Sequence, residues 1–234
     1  MRLIFVRHGE PDYQRDCLTE NGILQAQKTA ERLKNEEFSA IWSSPMGRAM
    51  ETASYTAKSH GLAIRTLDFM HEIDWGDIET ADDGGARLPH EGHPWTLAYR
   101  LRTEDPDGAE SAWDEHPYFR NNRCMQYYRS ISDHLDAFLA DHGLVRNGSI
   151  YDCTEERTDT IALFAHGGSG AVLFSHILNL PFPFVLSSMP YGVCSVSVIS
   201  FEEPTDGRIL PRLELFNDMR HIDTYREEKL HFEK

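Results

Sequence analysis

The sequence has no long hydrophobic run, no paired cysteines and little positive charge. Its longest opening apolar stretch, Leu3 to Val6, stops at Arg7. That is too short for a signal core or a membrane span, so neither is expected. Four cysteines (Cys17, Cys124, Cys153 and Cys194) are scattered, with no C-x-x-C spacing. Free thiols in a reducing compartment are the expectation, and with them a cytoplasmic protein. Lys plus Arg is 23 against 38 for Asp plus Glu, a formal charge of −15. A surface of that sign repels nucleic acid and anionic membrane, which are excluded as partners. A pocket within it can still be locally positive. The remaining composition, 40% hydrophobic and 26% charged, is that of a globular chain and excludes disordered, collagen-like and coiled-coil classes.

With 234 residues, the chain is long enough for one domain carrying an insertion. Leu3 to Val6 reads as a buried strand. Thr19 reads as an N-cap, and Ile23, Ala26, Ala30 and Leu33 recur at helical spacing through Asn35. Ser39 to Ser44 returns to strand character, and Pro45 is expected to open a second helix that Gly61 stops. Leu62 to Leu67 follows as a third strand. This β-α-β-α-β rhythm predicts a mostly parallel sheet with helices on both faces. Residues 77–120 break it, being rich in Gly, Pro, Asp and His with one short helical stretch from Trp95 to Leu101. They are read as an insertion laid over one end of the sheet. A long helix follows over Arg123 to Asp141, and Arg146 to Thr158 is polar and ambiguous, with a hairpin as one reading. Ile161 to Ala165 is a further buried strand, with a helix over Ser169 to Leu180. Alternation around Cys194, Val196 and Val198 and the turn at Asp206-Gly207 close the chain with paired strands out to Phe216.

Two of these strands end in histidine followed by glycine: Val6-Arg7-His8-Gly9-Glu10 and Ala165-His166-Gly167-Gly168. Open α/β sheets bind ligands at the carboxyl ends of their strands. Glycine there is expected to allow close backbone approach to a ligand. A third strand ends in Ser43-Ser44-Pro45-Met46-Gly47-Arg48, which puts Arg48 in the first turn of a helix at the same edge. Two histidines, two arginines and a helix N-terminus suit a phosphoryl group, which favours guanidinium contacts. Each residue alone has a plainer reading as packed or solvated. The set in its strand-turn-helix context does not.

RHGE at 7–10, LTENGILQA at 18–26, SSPMGRAMETA at 43–53 and AHGGS at 165–169 together resemble the histidine phosphatase superfamily. The likeness is to its larger branch of phosphoglycerate mutases and small-molecule phosphatases. It implies a three-layer α/β/α sandwich, phosphoglycerate mutase-like, with residues 77–120 as an inserted cap on a single domain. It also implies His8 as the nucleophile, phosphorylated on a ring nitrogen, with Arg7, Arg48 and His166 holding the phosphoryl oxygens. Gly9, Gln14 and Gly167 join the phosphate- and substrate-binding set. Glu72 is expected to be the general acid, with Asp74, Asp77 and Glu79 as neighbouring competitors. No metal and no cofactor are expected, because the arginines neutralise charge. The partner is a small phosphorylated metabolite.

The sequence departs from the family where relatives have Thr and Asn after the first motif and this chain has Pro11 and Gln14. A metal-free phosphomonoesterase leads. A phosphoglycerate-type mutase and a catalytically idle phospho-ligand binder remain alternatives, with a zinc hydrolase more distant. The histidines around the insertion, His71, His90, His93 and His116, are read as surface or loop residues rather than ligands. Trp95, Tyr99 and Trp113 either line a substrate mouth or pack the insertion.

Overall fold

In a computed structural model, residues 1–74, 93–154, 158–202 and 207–222 are described. The chain divides into two compact units. The first comprises 1–72, 136–170 and 191–234; the second comprises 73–135 and 171–190. The expected insertion, 77–120, falls in the second unit together with 121–135 and 171–190, and its residues 77–92 lie outside the described ones.

The first unit opens with β1 (Arg2–Arg7) and a short hairpin of β2 (Pro11–Asp12) and β3 (Cys17–Leu18). Then come α1 (Glu20–Leu33), β4 (Phe38–Ser43), α2 (Gly47–His60) and β5 (Ile64–Thr66). Thr19 caps α1 as expected, its hydroxyl accepting from Gly22 N–H, and Gly61 ends α2 at φ 65°. Pro45 does not open α2. That helix starts at Gly47 after a Met46 cap, because its first N–H groups are taken by side chains from outside it: Met46 N–H by Ser44 Oγ and Gly47 N–H by Asp16 Oδ2.

The second unit contains α3 (Pro94–Glu104), α4 (Pro106–Ser111) and α5 (Pro117–Arg120). Residues 94–120 are thus more helical than the single stretch expected. Each of the three starts with proline after a side-chain cap. His93 Nδ1 accepts from Trp95 N–H, Asp105 from Gly108 N–H and His116 Nδ1 from Tyr118 N–H. Trp113 belongs to the packing of this unit, its ring 5.0 Å from Tyr128 and 5.6 Å from Phe119, while Tyr99 is exposed.

Next in the chain are α6 (Cys124–Ala140), the hairpin of β6 (Leu144–Asn147) and β7 (Ile150–Cys153), and β8 (Thr160–Ala165). They are followed by α7 (Gly167–Leu178), α8 (Phe182–Ser188), β9 (Val196–Ser200), β10 (Arg208–Ile209) and β11 (Arg212–Asp218). The closing strands split: β11 pairs with β9, whereas β10 pairs with β7.

The central sheet runs β11-β9-β1-β8-β4-β5. β1, β8, β4 and β5 are mutually parallel; β9 runs against its neighbours β1 and β11. Leu3, Ile4, Phe5 and Val6 are all buried, as a strand covered on both faces requires. Consecutive residues of β4 show the two covers. Ile41 packs in the cluster with Ala53 and Ala57 of α2, and Trp42 meets Phe138 of α6 edge-on at 5.3 Å. This is the three-layer α/β/α arrangement with a mostly parallel sheet.

The register positions the chemistry. Arg7 pairs with Ala165 and Ser43 with Phe164, so β1, β8 and β4 end side by side. Their next residues are His8, His166 and Ser44. His8 N–H donates to the Ala165 carbonyl at 2.9 Å, and Ser44 N–H to the Phe164 carbonyl at 2.8 Å. No helix among the described residues is long and apolar enough to cross a membrane.

Candidate active site

His8 and His166 are buried at adjacent strand ends, their ring centroids 5.1 Å apart. His8 Nδ1 lies 2.7 Å from the Gly9 carbonyl oxygen. That oxygen can only accept, so Nδ1 carries the proton and Nε2 keeps its lone pair. His166 Nε2 lies 2.7 Å from Ser44 Oγ, which also accepts from Met46 N–H at 3.2 Å. The Ser44 proton then has His166 Nε2 as its acceptor, and His166 becomes an Nδ1–H donor.

The two arginines are anchored in a parallel way. Arg7 Nη1 donates to the Tyr191 carbonyl at 2.7 Å, and Arg48 Nη1 pairs with Asp16 Oδ1 at 2.5 Å. Arg48 is 4% exposed and stands at the positive end of α2, an unfavourable place for a cation. The Asp16 carboxylate answers that charge, taking both Arg48 and Gly47 N–H. Each anchored group still has a second nitrogen to offer. Arg7 Nε, Arg48 Nε and His166 Nδ1 are buried and have no hydrogen-bond partner among the described residues. Three buried, unpaired donors are costly unless an anion accepts from them.

Both histidines are neutral. Burial pulls His8 down to about 4; Arg7 and Arg48 push the same way, against the Gly9 bond and Asp16. His166 falls to about 2, from burial first and then Arg48, His8 and Arg7. Both values lie below that of an unfolded histidine, so the unfolded chain takes up protons first as pH falls. Stability from this source is complete above about pH 6.5 and is lost at about 1.4 kcal/mol per pH unit for each histidine as pH falls, through about 4 for His8 and about 2 for His166. Urea unfolding at pH 7, 6 and 5 should show a slope shallower by about one proton in His8→Asn than in the parent. Equal slopes would mean that His8 is not held neutral.

Glu72 Oε1 accepts from Gly168 N–H at 2.8 Å and Ser169 N–H at 3.2 Å, at the start of the helix that follows His166. The expected residues His8, His166, Arg7, Arg48 and Glu72 thus meet within the first unit. An added Cβ at Gly167 would stand in ordinary contact with the Arg7 guanidinium, at 3.5 Å. Gly9 has a different reason from the one expected. A Cβ there would lie 2.8 Å from the Gly22 carbonyl oxygen, so the close approach is by the protein's own backbone, and Gly9 N–H goes to Thr52 Oγ1. Gln14 is exposed on a turn where Asp12 Oδ1 accepts from the N–H groups of Gln14 and Arg15. Glu10 serves structure, accepting from Thr19 Oγ1 and Asn21 Nδ2.

Among the competitors, Asp74 pairs with Arg123, and Asp77 and Glu79 lie outside the described residues, as does His90. His93 is buried as a helix cap, and His71 Nδ1 bonds the Glu72 carbonyl. No group of three or more His, Cys, Asp or Glu among the described residues is arranged to hold a metal. Sequence reading did not find Asp16, Ser44 or Tyr191. Only Asp16 had a readable signal, an acid placed before a strand whose partner helix begins with arginine.

The sequence profile of the histidine phosphatase superfamily (branch 1) matches residues 3–143. A protein named probable phosphoglycerate mutase GpmB, from Enterobacter sp. (strain 638), is 27% identical over 238 residues, covering 95% of each chain. Among solved structures, a mutant phosphoserine phosphatase from Entamoeba histolytica in complex with phosphoserine aligns with a TM-score of 0.61 at 23% identity, over 94% of this chain and 98% of that one. A mycobacterial glucosyl-3-phosphoglycerate phosphatase with inorganic phosphate aligns with a TM-score of 0.59 at 26% identity, over 95% and 99%. With His8 and His166 at neighbouring strand ends of a phosphoglycerate mutase-like sheet, and a profile match over most of the chain, this protein belongs to the histidine phosphatase superfamily, branch 1.

Proposed function

We propose that the protein is a metal-independent phosphomonoesterase that hydrolyses a small phosphorylated metabolite through a phosphohistidine on His8. One observation carries this reading. His8 Nε2 is a bare lone pair on a neutral ring, and the same site holds three buried N–H donors without partners. A phosphoryl group satisfies both needs. Nε2 attacks phosphorus, its N–P bond forms, and the ester oxygen leaves with the proton delivered by the Glu72 carboxyl. Water then attacks phosphorus, Glu72 takes back a proton, and the N–P bond breaks to release inorganic phosphate. Arg7, Arg48 and His166 hold the equatorial oxygens throughout, which supplies the positioning and charge stabilisation on which phosphoryl transfer depends. Gln14 and Gly167 complete the proposed binding set, Gly9 being held to Thr52 and the Gly22 backbone, and residues 77–120 are assigned the choice among esters.

The mutase reading draws on the relative's name. It is less favoured because Arg100 and Arg102, two of the arginines available for a substrate carboxylate, are engaged elsewhere. Arg100 bonds Glu104 and the Tyr118 hydroxyl, and Arg102 bonds Ser187 and Ser188. The test is phosphate release from a panel of phosphomonoesters in excess EDTA, with quenching in alkaline detergent to trap phosphoenzyme. The expected result is release by the metal-free protein and an acid-labile, alkali-stable phosphate on the peptide containing His8. Interconversion of phosphoglycerate isomers without net release would instead establish the mutase. Saturable ester binding with neither reaction would establish the idle binder.

A further inference from the structure

We infer that Asp16 sets the charge class of the substrate, favouring esters whose leaving group carries no anion over phosphorylated acids. The inference rests on the phosphatase reading and concerns the same site. Asp16 has the left-handed backbone angle φ 48°, uncommon for a residue with a side chain. The preceding turn is built by Asp12, which takes the N–H groups of Gln14 and Arg15 and pairs with the Arg15 guanidinium. This geometry delivers the Asp16 carboxylate onto Arg48 and Gly47 N–H, the amino end of α2, where anions are otherwise favoured. The Asp16 side chain is 39% exposed, so the carboxylate also faces solvent. Tyr13, 70% exposed, has its ring 5.4 Å from the same guanidinium.

The charge balance follows from these contacts. Arg7 is anchored by a neutral carbonyl and keeps its full charge; Arg48 is matched by Asp16. With Glu72 carrying the proton it delivers, the named side chains sum to about one positive charge, against about −1.5 to −2 on the phosphoryl group. Among these named side chains no charge is left to neutralise a second anion. Beside Arg48 stand the Asp16 carboxylate and the Tyr13 ring, which suit a neutral or cationic group. The repulsion between Asp16 and one extra negative charge at about 6 Å, at an effective dielectric of about 20 to 40, equals roughly ten- to a hundredfold, the part of the balance that Asp16→Asn removes.

The experiment compares kcat/KM for phosphoethanolamine, glycerol 3-phosphate and 3-phosphoglycerate in the parent protein and in Asp16→Asn, at fixed pH and ionic strength. The parent should favour the first two over 3-phosphoglycerate by at least about tenfold. Asp16→Asn should narrow that ratio by about tenfold, whatever happens to the absolute rates. A parent that prefers 3-phosphoglycerate, or a ratio unchanged in the variant, overturns the inference. If Asp16→Asn does not fold, rising salt should narrow the ratio in the parent, and a salt-independent ratio counts against the idea. If the parent releases phosphate from no ester, the phosphatase reading fails by itself. Calorimetric binding of the same three compounds then still reads the charge preference, and equal affinities overturn it.

Discussion

His8→Ala is expected to reduce phosphate release by about four to six orders of magnitude, the scale on which enzymes lose their nucleophile. The size follows from what remains. Arg7 stays anchored on the Tyr191 carbonyl, Arg48 on Asp16 and His166 on Ser44, so the donors that hold a phosphoryl group survive. The variant should therefore still be stabilised against heat by inorganic phosphate while forming no phosphoenzyme. Because His8 is buried, His8→Asn provides a second variant of closer volume. Stopped assays over hours at high enzyme concentration can follow the whole range. Release within tenfold of the parent by a folded variant would remove His8 from the chemistry and leave the donors as a binding site served by another nucleophile.

Glu72→Gln is expected to separate substrates by leaving group. Alkyl esters expel a strongly basic alkoxide and need a proton, so their turnover should fall by about 10² to 10⁴. Aryl esters such as p-nitrophenyl phosphate expel a weak base and should still phosphorylate His8 at close to the parental rate. Their phosphoenzyme should accumulate, because the same carboxylate is needed to take a proton from the attacking water. The glutamine keeps an oxygen that can accept from Gly168 and Ser169 N–H, so the start of α7 retains its partner. An equal loss in the rate of His8 phosphorylation by alkyl and aryl esters would make Glu72 a residue of structure. The search for the acid would then move to Asp77 and Glu79.

How much of this could be read from the chain depends on the range over which each feature is encoded. Local signals were legible. Leu3 to Val6 is apolar throughout because both of its faces are covered, Thr19 is followed by an N–H that needs a cap, and Gly61 takes the left-handed angle that ends α2. The meeting of His8 and His166 was legible because each follows a buried strand, and parallel strands bring their ends to one edge. What tunes those residues was not. Ser44 and His166 are 122 positions apart, and Arg7 and the Tyr191 carbonyl 184 apart. The short helices of 94–120 were under-read because pieces such as Pro117–Arg120 have no room for a periodic pattern. The dipeptides His93-Pro94, Asp105-Pro106 and His116-Pro117 carried the signal, a capping side chain followed by proline. Gly9 shows that a glycine beside the proposed nucleophile can be fixed by neighbouring backbone.

The place of β1 in the sheet bears on how the protein is made. It is flanked by β8 and β9, so during synthesis β1 waits for residues 160–200 before it has a neighbour on either side. Through that interval four consecutive apolar side chains and two unpaired ladder edges are open to other chains. Such non-local pairing lies at the slow end of folding kinetics. A nascent chain halted before β8 therefore exposes a sticky strand with nothing to pair it, and heat-shock chaperones that recognise extended apolar segments should bind it there. Completion of the sheet and release from the chaperone are then one event, and it is the same event that brings His166 to His8.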